Sequence, residues 1–238
     1  MYGATHILAT DLDGTLVGDP EALQQLWTFY KEQTYEVALV YVTGRHFRSA
    51  LSLIAAEELP VPDVLVTDVG TEIRTAPAFE EDRQWKQKMQ QDWMPKDISR
   101  IAERIPDLVP QQLPVNCRQS YTVNSDRPVE LFEQELRQAS IPHKLIFSSG
   151  RDVDVLPAGS GKGQALRYAI RKFGVQDARI LIAGDSGNDL DMLTLGYPAV
   201  MVGNAQEELL AAERHPCLFR ASRRCAGGIH EAWVHFHS

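Results

Sequence analysis

The chain has 238 residues, 44% of them hydrophobic and 24% charged, with a formal net charge of −8. That length and apolar content suit a water-soluble protein with a core of its own, one that needs no disulfides to hold it. The acidic balance argues against a broad nucleic-acid surface, but it admits a phosphorylated small molecule wherever a bound cation reverses the local field.

Met1 to His6 carries neither the basic nor the apolar region of a secretion signal. The next segment, Ile7-Leu8-Ala9-Thr10, reads as a buried strand that runs straight into Asp11-Leu12-Asp13-Gly14-Thr15. Asp19-Pro20-Glu21 has the form of a helix start, with a capping Asp and Pro in the first turn, and predicts a helix to about Gln33. Val37 to Val42 is an almost continuous apolar strand, as in parallel sheets covered on both faces, and ends at Thr43-Gly44-Arg45. A helix over about Arg48–Glu58 and a strand at Val64–Thr67 complete a β-α-β-α-β run, which signals a doubly wound α/β domain.

The pattern then changes. Helical stretches around Trp85 and from Ile98 to Ile105, a strand at Tyr121–Val123 and a helix over Pro128–Gln138 precede two strands, His143–Phe147 and Val153–Leu156, which flank a Ser148-Ser149-Gly150 turn. Short links between mixed elements predict a small α+β insertion. The α/β pattern returns with a helix from Lys162 to Phe173 and strands at Ile180–Ala183 and Ala199–Val202. The expectation is a Rossmann-like doubly wound parallel core over 1–78 and 157–238, with an α+β cap over 79–156 inserted into it. The three cysteines, Cys117, Cys217 and Cys225, have no metal-ligand spacing and read as reduced thiols of a cytoplasmic protein. No apolar run approaches the about 20 residues of a membrane helix.

Four polar clusters follow core strands or open core helices, so an open α/β sheet would bring them to one edge. In the first, Asp11 and Asp13 stand two residues apart: Asp11 as a nucleophile toward phosphorus, Asp13 as the acid and later the base. In the second, Thr43 and the backbone N–H of Gly44 can hold a phosphoryl oxygen, although an ordinary strand-to-helix turn reads the same way. The third is Lys162, placed unfavourably at a helix start, where its charge would balance phosphate and nucleophile. The surrounding Gly159-Ser160-Gly161-Lys162-Gly163 is no Walker loop, because Gly163 follows the lysine and Leu156 occupies the position of the first glycine. In the fourth, Asp185-Ser186-Gly187-Asn188-Asp189 offers the hard oxygens that suit Mg2+: Asp185 as a direct ligand, Asp189 through water or by orienting Lys162, and Ser186 and Asn188 in support.

Taken in order, Asp-x-Asp-Gly-Thr, Thr-Gly-Arg, Lys and Gly-Asp-Ser-Gly-Asn-Asp resemble the four motifs of the haloacid-dehalogenase-like phosphatase superfamily. The resemblance implies a Mg2+-dependent phosphomonoester hydrolase that works through an aspartyl phosphate on Asp11. It also implies a metal site of the Asp11 side chain, the Asp13 main-chain carbonyl and Asp185. An insertion after the third strand matches the subgroup acting on sugar phosphates. Asp11 to Asp19, Val69 to Ile73 and Phe147 to Pro157 resemble sucrose-phosphate phosphatases in particular, with Gly14 where many members have Asn and Arg151 where many have Lys. This implies sucrose 6-phosphate as substrate. Mannosylfructose phosphate, hexose phosphates, a sugar phosphotransferase or mutase activity, or a non-catalytic partner of a sugar-phosphate synthase are the alternatives. The sugar contacts expected are Arg45, His46, Arg151 and Asp152. Trp85, Trp93 and Tyr121 could stack on a sugar, but packing between cap and core is the role expected of them, and the protein is expected to act as a monomer without nucleic-acid or membrane partners.

Overall fold

Along the first strands, apolar side chains alternate between two faces, and that alternation sets the layering. The structure, a computed structural model, describes residues 4–174, 177–211 and 215–237; Met1 to Gly3 of the segment read for a secretion signal lie outside these. In chain order the first part of the core is β1 (His6–Thr10), α1 (Pro20–Lys31), β2 (Val37–Val42), α2 (Phe47–Ala56), β3 (Val64–Thr67), β4 (Glu72–Thr75) and β5 (Glu80–Glu81). Then come α3 (Arg83–Gln90), α4 (Pro95–Ala102), β6 (Val109–Gln111), β7 (Gln119–Thr122), α5 (Arg127–Gln138), β8 (Lys144–Ser148) and β9 (Asp152–Leu156). The chain closes the core with α6 (Lys162–Phe173), β10 (Arg179–Gly184), α7 (Leu190–Leu193), β11 (Ala199–Met201), α8 (Glu207–Leu210), β12 (Leu218–Arg220) and α9 (Cys225–His237).

The core sheet has eight strands in the order β12-β11-β10-β1-β2-β3-β4-β5, parallel from β12 to β3 and antiparallel at β4 and β5. Ile7, Ala9, Val40 and Val42 face α3, α6 and α7, while Leu8, Leu39 and Tyr41 face α1, α2 and α9. Each helix contributes one apolar stripe: Ala165, Leu166 and Ala169 from α6 on one face, Ala22, Leu23 and Leu26 from α1 on the other. As its sequence suggests, α1 begins at an Asp19 cap whose carboxylate accepts from the Ala22 N–H at 3.0 Å. The strand order turns back between β1 and β10, whose carboxyl ends lie side by side, and this is where an open α/β sheet binds its ligand.

A second, antiparallel sheet, β6-β7-β9-β8, carries α4 and α5 on one face. Its alternation is legible in Asp152-Val153-Asp154-Val155: the valines join Phe132, Tyr121 and Ile98 in the cap core, and the aspartates face the opposite way, into a cleft. The cap starts later than the expected residue 79. Strand β5 pairs with β4 in the core sheet, and Trp85 and Met89 of α3 are buried in the core cluster. Trp85 donates its indole N–H to the Gly70 carbonyl at 3.1 Å, so it supports the core loop after β3 and not the cap. Polar composition hid this, because α3 buries only those two residues. Tyr121 and Trp93 pack within the cap itself. Among the described residues no helix is long and apolar enough to cross a membrane. Trp85→Ala is expected to lower the unfolding free energy by about 3–5 kcal/mol, read from the urea midpoint; a loss no larger than that of a surface substitution would remove α3 from the core.

Candidate active site

Asp11 leaves the end of β1, Thr43 the end of β2 and Asp185 the end of β10, while Lys162 opens α6 beside them. The topology therefore gathers four sequence clusters at one sheet edge. Lys162 is 1% exposed and donates to Asp11 Oδ1 and to Asp189 Oδ1, both at 2.7 Å. The other Asp189 oxygen accepts from the Asp185 and Ser186 N–H groups at 3.0 Å each, so this carboxylate caps its own turn while it grips the lysine.

Close backbone approaches allow this assembly. Gly70, at φ +92°, lies so near the Gly161 carbonyl that a Cβ there would come within 2.3 Å of it; this contact seats the start of α6, and with it Lys162, against the loop after β3. Gly14, at φ +75°, leaves room for Asp185, whose Oδ2 a Cβ would meet at 2.6 Å. Thr15 Oγ1 donates to Asp185 Oδ1 at 2.9 Å, and the Asn204 amide donates to the Gly14 carbonyl at 2.7 Å.

Oxygens of Asp11, Asp185 and Asp189 lie within 4.8 Å of one another, and all three residues are buried. Burial, reinforced by Asp189, pushes the Asp185 carboxyl up to about 6. Burial likewise raises Asp11 well above the carboxylate range, with the Lys162 ammonium pulling the other way. Desolvation would lower Lys162, but its two carboxylate partners outweigh it and keep the ammonium charged. Three buried carboxylates thus face one ammonium, and the excess negative charge with only oxygen donors fits a hard divalent cation. Asp11 and Asp185 are the better placed to hold it, because both oxygens of Asp189 are engaged within the protein.

Asp11, Lys162 and Asp185 form the floor of a cleft of about 390 Å³ between core and cap. Asp13, Gly44, Arg45, Ser186, Asn188 and Asp152 line it. Thr43 lies beneath, buried, with Oγ1 accepting from the Arg45 N–H at 3.1 Å. Arg45 donates to both oxygens of Asp13, at 2.6 and 2.7 Å. Two expected sugar contacts stand elsewhere. His46 caps α2, accepting from the Ser49 N–H at 3.4 Å, and borders a different hollow; Arg151 is 70% exposed and only approaches Asp152, at 3.9 Å. The cap residues that do enter include Gln111, Arg118, Ser120 and Asp154. Asp154 was missed, although the alternation Asp152-Val153-Asp154-Val155 is a signal that places it on the same face as Asp152; Arg118, on a loop before β7, had no comparable signal.

The family model described as Sucrose-6F-phosphate phosphohydrolase matches residues 4–237. Sucrose-phosphatase 1 of Nicotiana tabacum is 34% identical over 257 aligned residues that take in 98% of this chain; the chain spans only 59% of that relative's length. Mannosylfructose-phosphate phosphatase of Agrobacterium fabrum is 29% identical, covering 97% of this chain and 96% of that protein. The crystal structure of the sucrose-phosphatase from Synechocystis sp. PCC6803 with sucrose and phosphate superimposes with a TM-score of 0.90 at 33% identity, over 98% of both chains.

The raised carboxyls give the site a pH signature. A carboxyl whose folded-state pKa lies above its unfolded value of 3.8 favours the fold most at low pH, and that contribution fades as pH rises toward about 6 for Asp185. Cation binding needs the deprotonated form, so the rise in Tm on adding millimolar Mg2+ or Mn2+ should be larger at pH 8 than at pH 5 and should disappear in Asp185→Asn. A pH-independent shift, or one that survives the substitution, would place the cation elsewhere.

Proposed function

The chain belongs to the sucrose-6F-phosphate phosphohydrolase family, and on that premise we propose that it hydrolyses sucrose 6-phosphate to sucrose and phosphate through an aspartyl phosphate on Asp11. The observation that carries this reading is the buried Asp11–Lys162–Asp189 array beside Asp185 at the sheet's switch point. Lys162 binds Asp11 through Oδ1, which leaves Oδ2 to attack phosphorus in line with the leaving hydroxyl. The Thr43 hydroxyl and the Gly44 N–H hold phosphoryl oxygens, and the Lys162 charge offsets the repulsion between carboxylate and phosphate dianion. Asp13 gives its proton to the departing sugar oxygen, then takes one from the water that cleaves the acyl phosphate. Both steps require Asp13 to part from Arg45; the pair is half exposed, so it is held weakly, and the arriving phosphate offers Arg45 a competing anion. Mg2+ is the cation proposed for Asp11, Asp185 and the Asp13 carbonyl, where it would neutralise charge on the phosphoryl oxygens and the nucleophile.

Sucrose 6-phosphate is favoured over other sugar phosphates by the likeness to sucrose-phosphatases over nearly the whole of this chain. Mannosylfructose phosphate is the second reading, favoured by the relative that matches from end to end. The cleft residues Gln111, Ser120 and Asp152 offer polar groups for sugar hydroxyls. The free cysteines fit a cytoplasmic enzyme. Action as a monomer, and association with the synthase that makes the sugar phosphate, belong to the same proposal.

The test is phosphate release from sucrose 6-phosphate, mannosylfructose phosphate and hexose phosphates, with and without Mg2+. A Mg2+-dependent preference for sucrose 6-phosphate is expected; equal rates on all would overturn the narrow substrate, and no release would overturn the reaction. Asp11→Asn should lower kcat by about a thousand-fold or more, and Asp13→Ala by about a hundred- to ten-thousand-fold.

A further inference from the structure

Arg118 is a cap residue that reaches across the cleft to the backbone of the second core motif. Its side chain is 7% exposed, and it donates through Nη1 to the carbonyl of Gly44, 74 residues away in the core, at 2.6 Å. Two carboxylates flank it beyond hydrogen-bond length: Asp68 of the core at 3.7 Å and Asp154 of the cap at 3.8 Å. Arg118 Nε and Asp68 Oδ1 have no hydrogen-bond partner among the described residues. Asp68 also sits at φ +52°, a conformation unfavourable for a residue with a side chain. A buried guanidinium that leaves one donor unused and still commits another to a main-chain carbonyl calls for a reason beyond neutralising its neighbours.

The Gly44 carbonyl supplies one. It shares a peptide plane with the Arg45 N–H, and in a trans peptide the two point in opposite directions. That N–H donates to Thr43 Oγ1 at 3.1 Å, which occupies a lone pair of the hydroxyl and frees its proton to point at a phosphoryl oxygen. Backbone bonds hold the carbonyls on either side, Val69 N–H to Thr43 at 3.2 Å and Asp68 N–H to Arg45 at 2.9 Å, and the Gly44 carbonyl between them is the one that Arg118 takes. Arg118 holds the carbonyl outward, toward the cap.

We propose that Arg118 is a positioning residue that locks the Gly44–Arg45 peptide when the cap is seated, so that the cap sets the phosphate-holding geometry of Thr43 as well as enclosing the sugar. The inference rests on the phosphatase reading of the site. It separates from sugar binding because its effect should appear with a substrate that has no sugar. Burial pushes the Asp68 carboxyl up to about 7 while Arg118 pulls it down, so Asp68 becomes neutral readily once the guanidinium is gone.

The test measures two quantities in the full chain: kcat and KM for p-nitrophenyl phosphate, and affinity for inorganic phosphate by titration calorimetry. Arg118→Gln should weaken phosphate binding and lower kcat on p-nitrophenyl phosphate by about ten-fold or more each, the scale of a lost charged hydrogen bond. Arg118→Lys, which keeps a donor for the carbonyl, should recover most of both. If Arg118→Gln does not fold, the Arg118→Gln/Asp68→Asn pair, which removes the guanidinium together with one of its two flanking carboxylates, should show the same losses, with Asp68→Asn alone close to wild type. Wild-type values for both quantities in the glutamine variants would overturn the proposal, whether or not KM for the sugar phosphate rises. A wild-type protein that neither binds phosphate nor hydrolyses either ester would overturn the phosphatase reading itself, and this inference with it.

Discussion

The structure depends on one buried ammonium. Lys162 sits with 1% exposure between Asp11 and Asp189, on elements that are otherwise far apart in sequence. A charge taken so completely out of water is tolerable only when its partners are close and themselves held. Much of the core geometry supplies that holding: the Gly70–Gly161 approach seats the start of α6, the Ser186–Asp189 turn aims one carboxylate, and β1 ends where the other is needed. The same arrangement leaves Asp185 and the free edge of Asp11 with more negative charge than one lysine balances. The site is thereby built for a cation and for a substrate that arrives as an anion.

The cap closes the cleft with its sheet's second face. Valines on β9 bury into the cap core, and that fixes Asp152 and Asp154 toward the cleft. Contacts across the cleft are polar: Lys144 to Asp191 at 2.6 Å, Ser149 Oγ to Gln206 at 3.0 Å, and Arg118 to the Gly44 carbonyl at 2.6 Å. Polar contacts of this kind can exchange with water when cap and core separate, which a large apolar interface would resist.

The sequence made the core legible where periodicity was strong. Strands β1, β2, β3 and β10 are continuous apolar runs, and α1 and α6 carry clear caps or apolar stripes. The meeting of the polar clusters was legible for a related reason: Asp11, Thr43 and Asp185 directly follow such strands and Lys162 opens α6, so topology brings them together. Where the chain turns polar, these signals weaken. Helix α3 buries only Trp85 and Met89, and its place in the core depends on a long-range contact with Gly70 that no local pattern encodes. Arg118 was illegible for the same reason, since its partners Gly44 and Asp68 lie on another domain. His46 was misplaced because adjacency to Arg45 says nothing about which way a helix cap points.

The central claim is that Asp11, held by Lys162, accepts the phosphoryl group. A single turnover on sucrose 6-phosphate quenched with borohydride, followed by peptide mapping, tests it most directly, because reduction of an aspartyl phosphate leaves homoserine in its place. Homoserine at position 11, and at no other aspartate, is the predicted result. Phosphate release with position 11 unmodified throughout the turnover would contradict it and assign the attack to water.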